Sequence, residues 1–129
     1  MSITSADILT YAQSVLGAAG TNEVNFRAVV GRAYYAAFHD SSDWHNSLPL
    51  PGSLPITFNG GTHAQLRERL TNPAPSLASA EKMKSKRRGY ALRALHDQRV
   101  EADYHLNETV DLIEARQSVA NAATIIAIV

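Results

Sequence analysis

A chain of 129 residues is long enough to bury the core of one domain, so we predict a single domain over residues 1–129. Hydrophobic residues make up 45% of it and charged residues 19%, which excludes a disordered chain, and the lack of cysteine excludes disulfides and thiolate metal sites. The net charge is zero, which excludes a generic nucleic-acid binder. No basic-then-apolar leader opens the sequence, and the most apolar tract, residues 122–129, is too short to span a bilayer, so we expect a cytoplasmic protein without membrane association.

Two helices are predicted in the first third of the chain. Apolar residues recur at helical spacing over about Ser5–Ala18, and Gly20 marks the exit of this helix. A second helix begins near Thr21 or Asn22 and continues at least to His39. Its apolar residues cover more than one stripe, which is typical of a central helix buried by several neighbours.

Prolines and glycines exclude a continuous helix over residues 47–62, and the capping-box pattern at Thr62 then predicts a short helix that ends near Leu70. A basic helix starts at Ser76 or Ser79, and a final helix starts between residues 106 and 109. The core positions predicted for the basic helix are Leu77, Ala80, Met83, Tyr90, Ala91 and Leu92 or Leu95. With no convincing strand, the chain is predicted to be an all-α, antiparallel bundle of about five helices.

The charges are distributed unevenly along the second half of the chain. Residues 81–99 carry seven basic side chains against two acidic ones, whereas residues 100–129 carry five acidic side chains against one basic one. The basic stretch is either a solvated helix face or a surface that contacts a phosphate backbone. The second interpretation makes Lys86, Arg87, Arg93 and His96 candidate substrate-binding residues.

Arg99 and His105 stand six positions apart just before the final predicted helix. Guanidinium stays cationic and matches phosphate geometry, and imidazole transfers protons near neutral pH. RNA supplies its own nucleophile, the 2′-hydroxyl, so this pair suits cleavage without a metal, giving a 2′,3′-cyclic phosphate and a 5′-hydroxyl. The alternatives are an exposed His105 and an Arg99 that is solvated or paired with Glu101 or Asp103.

Three segments in this order resemble the HEPN family, the "higher eukaryotes and prokaryotes nucleotide-binding" helical domains. They are the helix over Phe26–His39, the helix opening Gly61–His63, and the Arg-x-x-Ala-Asp-Tyr stretch over Arg99–Tyr104. The resemblance implies an antiparallel helical bundle that forms a homodimer through its long helices. It also implies a metal-independent endoribonuclease of toxin–antitoxin, phage-defence or RNA-processing systems, with Arg99 and His105 as the catalytic residues in the dimer cleft and an antitoxin as a possible partner.

One residue departs from the pattern of active relatives, in which the position after the arginine is often polar, because this chain has Val100 there. Relatives with the Arg-x-x-Ala-Asp-Tyr form often lack the histidine. They serve as non-catalytic modules that bind a nucleotide or a protein partner such as a minimal nucleotidyltransferase. This function is the alternative to a ribonuclease.

Three further residues are predicted to support the structure. Arg32 lies in the most apolar helix, where a buried arginine needs a partner, and Asp103 is the predicted one. Tyr104 is expected to pack on the bundle. The spacing of the remaining histidines matches no compact ligand motif, so neither a metal nor a cofactor is expected, and His63 is predicted to be an exposed residue in the first turn of its helix.

Overall fold

All regular structure in residues 3–18 and 22–129, which the computed structural model describes, is helical. The helices are α1 (Ser5–Ala18), α2 (Glu23–Asn46), α3 (Thr62–Thr71), α4 (Ser79–Tyr104) and α5 (Leu112–Ile126). The predicted all-α helical bundle of about five helices is therefore confirmed for this part of the chain. None of these helices is both long and apolar enough to cross a membrane within the described residues.

Helix α2 is the central helix, as its apolar pattern predicts. It packs against α1, α4 and α5, and it buries residues on several sides, among them Val29, Ala33 and Ala37. Its start is fixed by Asn22, whose side-chain oxygen accepts a hydrogen bond from the N–H of Val24. Small buried residues allow the neighbouring helices to approach closely, so the core forms around this helix.

Two arginine contacts show that α2 and α4 run antiparallel. Near the start of α2, Arg27 donates to the carbonyl of Ala102 near the end of α4 at 2.8 Å. Near the end of α2, Asp40 forms an ion pair of 2.9 Å with Arg88 in the first half of α4. Opposite ends of the two helices are thus held together by polar contacts.

Helix α5 runs parallel to α2 and antiparallel to α4. The N–H of Val110, just before α5, donates to the Glu23 carboxylate at the start of α2. Beyond the end of α5, the carbonyl of Ile128 accepts a hydrogen bond from Arg88, which also holds the end of α2. Arg88 is only 1% exposed, so this basic residue of the charged stretch is part of the core.

The pairing of α3 with α4 depends on a glycine. A Cβ atom at Gly89 of α4 would lie 2.6 Å from Cγ2 of Thr71, closer than real Cβ atoms come. The hydroxyl of Ser85, one turn earlier, donates to the carbonyl of Leu70 at 2.6 Å. The end of α3 therefore lies directly on α4, and its start is positioned over the later turns of α4.

The segment between α2 and α3 forms no regular structure, as its prolines and glycines predict, and it is attached at Gly52. The N–H of Gly52 donates to Nε2 of the buried His45 at 3.0 Å, and its carbonyl accepts from Arg69 at 2.7 Å. A Cβ atom at Gly52 would lie 1.8 Å from the Arg69 carbonyl oxygen, so only glycine fits there.

The predicted boundaries of α1, the extension of α2 at least to His39 and the predicted start of α4 at Ser79 are confirmed, whereas the cap of α3 and the start of α5 need correction. Gly20 and Thr21, named as a helix exit and a possible helix start, lie outside the described residues. Thr62 lies inside α3, and Gly61 occupies the cap position without a side-chain cap. The final helix starts later than predicted, at Leu112, because Asp111 caps it by accepting from the N–H of Glu114.

The buried face of α4 also differs from the prediction in three positions. Leu92 and Leu95 are fully buried as expected, and Leu77 is buried just before the helix. Ala80, Met83 and Tyr90, predicted to be core residues, are exposed instead. The polar face was misplaced because Ser85 and Arg88 occupy the core side of this helix.

Candidate functional site

Arg99 lies within α4 and faces α2. Its Nε donates to Oδ2 of Asp103 at 3.0 Å, one helical turn further along. Its guanidinium carbon lies 5.6 Å from the ring centroid of Tyr34, within the range of a cation–π contact. The predicted alternative in which Arg99 pairs with Asp103 is thus observed, and the pair holds the guanidinium in a defined position.

His105 is the C-terminal cap residue of α4, and its side chain is exposed. Its backbone N–H donates to the carbonyl of Glu101, and its carbonyl accepts from Arg27. Six positions at about 100° per residue put the two side chains on different sides of a helix. In the part of the chain that the structure describes, Arg99 and His105 share no hydrogen bond, ion pair or ring contact.

The structure instead brings Arg99 together with residues of α2, α3 and its own helix α4. We call this group the histidine cluster. It consists of Tyr34, Phe38 and His39 from α2, His63 and Arg67 from α3, and His96 and Arg99 from α4.

Ring contacts hold the histidine cluster in place. His63 stacks on Phe38 with a centroid distance of 3.9 Å and an interplanar angle of 8°, and its Nδ1 lies 2.7 Å from the Tyr34 hydroxyl. His96 meets the same Tyr34 ring edge-on at a centroid distance of 5.7 Å. Tyr34 is fully buried, so a rigid ring separates and orients the two histidines.

The surroundings of both histidines favour their neutral forms. Burial lowers the pKa of His63, and the charges of Arg99 and Arg67 lower it further. Burial also lowers the pKa of His96, with Arg67 adding to the effect and Asp97 opposing it. Both imidazoles therefore favour the uncharged form in the folded protein.

The direction of the Tyr34–His63 hydrogen bond follows from the same electrostatics. Burial raises the pKa of Tyr34 against the opposing charges of Arg67 and Arg99, so its hydroxyl keeps its proton. A neutral His63 has one nitrogen that accepts, and Nδ1 is the atom facing the hydroxyl. The hydroxyl thus donates to Nδ1, which assigns the remaining ring proton to Nε2.

The charge of the histidine cluster suits an anion. Arg67 forms no ion pair with any described residue, and its Nη1 is buried without a hydrogen-bond partner. No group of three or more histidine, aspartate or glutamate side chains in the described residues is arranged to hold a metal ion. The cluster therefore contains two guanidinium groups and two histidines, side chains that can bind a phosphate-like anion.

The other predicted substrate-binding residues lie apart from this cluster. Lys86, Arg87 and Arg93 are exposed, and none has a ring contact, hydrogen bond or ion pair with a cluster residue in the described structure. Of the four candidates from the basic stretch, His96 is the one that the structure brings beside Arg99.

The three predicted structural residues are placed as follows. Arg32 is exposed and forms no ion pair with Asp103, because Asp103 pairs with Arg99 instead. The predicted Arg32–Asp103 pair is therefore wrong, although both residues border one groove. Tyr104 is 67% exposed, so within one chain it does not pack on the bundle as predicted.

Sequence reasoning missed the roles of Tyr34, His63 and Arg67. His63 lies in the first turn of α3 as predicted, but the predicted exposure of its side chain is wrong, since the ring stacks on Phe38 and forms a hydrogen bond with Tyr34. The usable signal was the set of histidines at positions 39, 63 and 96, one on each of three successive helices. Their spacing excludes a compact metal motif, but helices that pack side by side bring distant positions together.

Comparison of this chain with models of protein families, with curated proteins and with solved structures found no match.

Proposed function

We propose that this protein is a metal-independent endoribonuclease of the HEPN type, with the histidine cluster as its catalytic centre. The observation that carries the proposal is the placement of His63 and His96 around Tyr34 and beside Arg99. A site that cleaves RNA needs a cation for the phosphate and a group that accepts the 2′-hydroxyl proton.

Arg99 binds the scissile phosphate in this proposal. Its Nε is occupied by Asp103, which leaves its two terminal nitrogens to donate to phosphate oxygens. Arg67 contributes a second positive charge from the facing helix. The two charges stabilise the negative charge that develops on the equatorial oxygens as the 2′-oxygen attacks phosphorus.

The histidines move the protons. Since the accepting nitrogen of His63 is bonded to Tyr34, the neutral imidazole of His96 takes the proton of the 2′-hydroxyl while the 2′-oxygen bonds to phosphorus and the bond to the 5′-oxygen breaks. A bound phosphate offsets the arginine charges that disfavour protonation, so the second imidazole can carry the proton that the 5′-oxygen receives. The products are a 2′,3′-cyclic phosphate and a 5′-hydroxyl.

The role of His105 distinguishes two versions of the proposed site. In the first, one chain supplies Arg99, His63 and His96, and His105 is dispensable. In the second, a homodimer brings His105 of one copy to Arg99 of the other. The exposed position of His105 next to the exposed Leu106 is compatible with such a contact.

Cleavage of a short labelled RNA in excess EDTA tests the activity. Arg99→Ala should lower the rate by ~10²–10³-fold, and loss of a proton-transfer histidine by a similar factor. Arg116→Ala, at an exposed position of α5, is the matched control and should keep the full rate. A rate that Arg99→Ala leaves unchanged, or that EDTA abolishes, contradicts the proposal.

An experiment that mixes the Arg99→Ala and His105→Ala variants distinguishes a site within one chain from a site shared by two chains. If the site spans a dimer, an equimolar mixture of Arg99→Ala and His105→Ala chains contains heterodimers with one intact Arg99–His105 pair, and activity returns. If the site lies within one chain, His105→Ala is already active, and His63→Ala or His96→Ala is not.

A non-catalytic module that binds a protein partner is the second candidate function. The observation that favours it is an exposed apolar group at the turn between α4 and α5, where Tyr104, Leu106 and Ile113 are 67%, 74% and 71% exposed. A minimal nucleotidyltransferase is the kind of partner that the family resemblance implies for such a module. Wild-type protein that neither cleaves RNA nor slows the growth of expressing cells supports this function over the first.

A further inference from the structure

A groove between α2 and α4 opens directly beside the histidine cluster. Its volume is about 300 Å³, and it is lined by Ala28, Gly31, Arg32, Tyr35, Arg99 and Asp103. Arg99 belongs both to this groove and to the cluster, where its guanidinium faces Tyr34. A ligand whose phosphate binds Arg99 would therefore have a neighbouring part in the groove.

Arg32 is the free cation of this groove among the described residues. It is exposed, and it forms no ion pair or side-chain hydrogen bond with any described residue. The other arginine of the groove is partly neutralised, since Arg99 pairs with Asp103. Among the described residues Arg32 is therefore an unpaired guanidinium in the same groove as Arg99, and it can bind a second phosphate group of the ligand.

Two exposed tyrosines border the clefts that Arg32 lines. Tyr35, 42% exposed, borders the groove and is held edge-on by His39 at a centroid distance of 4.3 Å. Tyr11, 60% exposed, borders the two adjoining clefts that also contact Arg32. An alternation of exposed tyrosine and arginine is the arrangement on which single-stranded nucleic acid stacks its bases and places its backbone.

We propose that this groove binds the nucleotide next to the scissile phosphate of a single-stranded RNA, with Arg32 on the flanking phosphate and Tyr35 stacked on a base. The inference rests on the proposed function for the position of the scissile phosphate at Arg99. It adds the substrate class, because a base in a duplex is stacked on its neighbours and cannot lie against Tyr35. The volume of the groove suits one such unit.

Two carboxylates near the groove, those of Asp103 and Asp7, already accept hydrogen bonds. Asp103 accepts from Nε of Arg99, and Asp7, across the adjoining cleft from the groove, accepts from the N–H of Thr4 at 2.8 Å. Each carboxylate therefore has a donor of its own. Arg32 keeps its positive charge available to the backbone of the strand.

Binding can be measured without cleavage. The probe is a fluorescent single-stranded RNA of about eight nucleotides with 2′-fluoro groups, which lacks the internal nucleophile. We expect this probe to bind more tightly than a duplex of the same sequence and more tightly than adenosine monophosphate. Equal binding of duplex and single strand, or equal binding of the mononucleotide, would overturn the assignment.

Three variants locate the probe in the groove. Arg32→Ala should weaken binding about tenfold and reduce the salt dependence of log K by about 0.7, the contribution of one phosphate contact to a single strand. Tyr35→Ala should weaken binding by a similar factor, about tenfold, whereas Tyr35→Phe keeps the stacking surface and the affinity. Arg116→Ala is the charge-matched control and should leave the affinity and the salt slope unchanged.

Gly31→Ala tests the groove without removing any contact of the fold. A Cβ atom at Gly31 would meet only Oδ1 of Asp103, at an ordinary distance of 3.7 Å, so the helix accepts it and the methyl group enters the groove. Gly17→Ala, where nothing lies within 4 Å of the added Cβ, is the matched control. We expect weaker binding for Gly31→Ala alone.

The outcomes separate the two proposals. If the probe binds as described but RNA of the same sequence with 2′-hydroxyl groups is not cleaved, the groove assignment is supported and the endoribonuclease proposal is wrong. If the RNA is cleaved through Arg99 while Arg32→Ala, Tyr35→Ala and Gly31→Ala all bind like wild type, the groove assignment is overturned and the activity stands.

Discussion

Gly89→Ala should fail to stabilise the protein although alanine is the better helix former. Ala favours a helix interior over Gly by about 1 kcal/mol. At Gly89 the added Cβ would lie 2.6 Å from Cγ2 and 3.1 Å from the backbone nitrogen of Thr71, and Thr71 is held in place by its hydroxyl, which donates to the Glu68 carbonyl. Overpacking of this kind costs about 1–3 kcal/mol, so the helix gain is cancelled or reversed.

Gly31→Ala gives the reference for this comparison, since it makes the same change inside a helix without a close contact. The two variants should therefore differ in the free energy of unfolding by about 1–3 kcal/mol, with Gly89→Ala the less stable. Urea denaturation followed by circular dichroism measures this difference. Equal stability of the two variants would refute the conclusion that α3 lies directly on α4 at this glycine.

A second substitution tests whether Thr71 is the cause. Thr71→Ser removes Cγ2, the atom nearest the added Cβ, and keeps the hydroxyl. In the double variant the cost of Gly89→Ala should fall, which appears as a favourable coupling energy in the double-mutant cycle. Since α3 also carries His63, Gly89→Ala should slow RNA cleavage, and the double variant should recover part of the rate.

Burial and the charge of Arg69 lower the pKa of His45 in the folded protein, so its contribution to stability is complete above the unfolded pKa of about 6.5 and is lost as the pH falls below it. Urea denaturation at several pH values should show this loss, and His45→Gln, which keeps an acceptor for the Gly52 N–H but cannot titrate, should show less of it. Arg88→Ala should lower the free energy of unfolding by about 3–5 kcal/mol, because it leaves the buried partners of this guanidinium without their donor; a loss below about 1 kcal/mol would contradict its placement in the core. Tyr34→Phe removes the hydroxyl that stabilises neutral His63, so the pKa of His63 should rise, and an NMR titration that finds no change would argue against this hydrogen bond.

Local sequence patterns predicted most of the fold. Hydrophobic periodicity located α1 to the residue and identified α2 as the central helix, because both signals depend on neighbours within a few turns. The start of α5 was misplaced since the decisive contact is the cap at Asp111, which an apolar pattern does not mark. The core side of α4 was misread because Arg88 is buried through partners on α2 and beyond α5.

The candidate site was predictable only in part for a related reason. Arg99 was found because its sequence neighbours resemble a known pattern. Its contacts with Tyr34, and those of Tyr34 with His63 and His96, join positions separated by 29 to 65 residues along the printed sequence. Such contacts are set by the packing of α2, α3 and α4, and neither composition nor local spacing determines that packing.

The contacts at the start of α2 have a consequence for how the protein is made. Arg27 is bound by the carbonyls of Ala102 and Glu108, which follow it by 75 and 81 residues, and Glu23 accepts from Val110, 87 residues later. A ribosome that synthesises the chain from its N-terminus releases this central helix long before these partners exist. During translation α2 can pack on α1, but its faces for α4 and α5 stay uncovered, and the groove and the histidine cluster cannot form until α4 has left the ribosome.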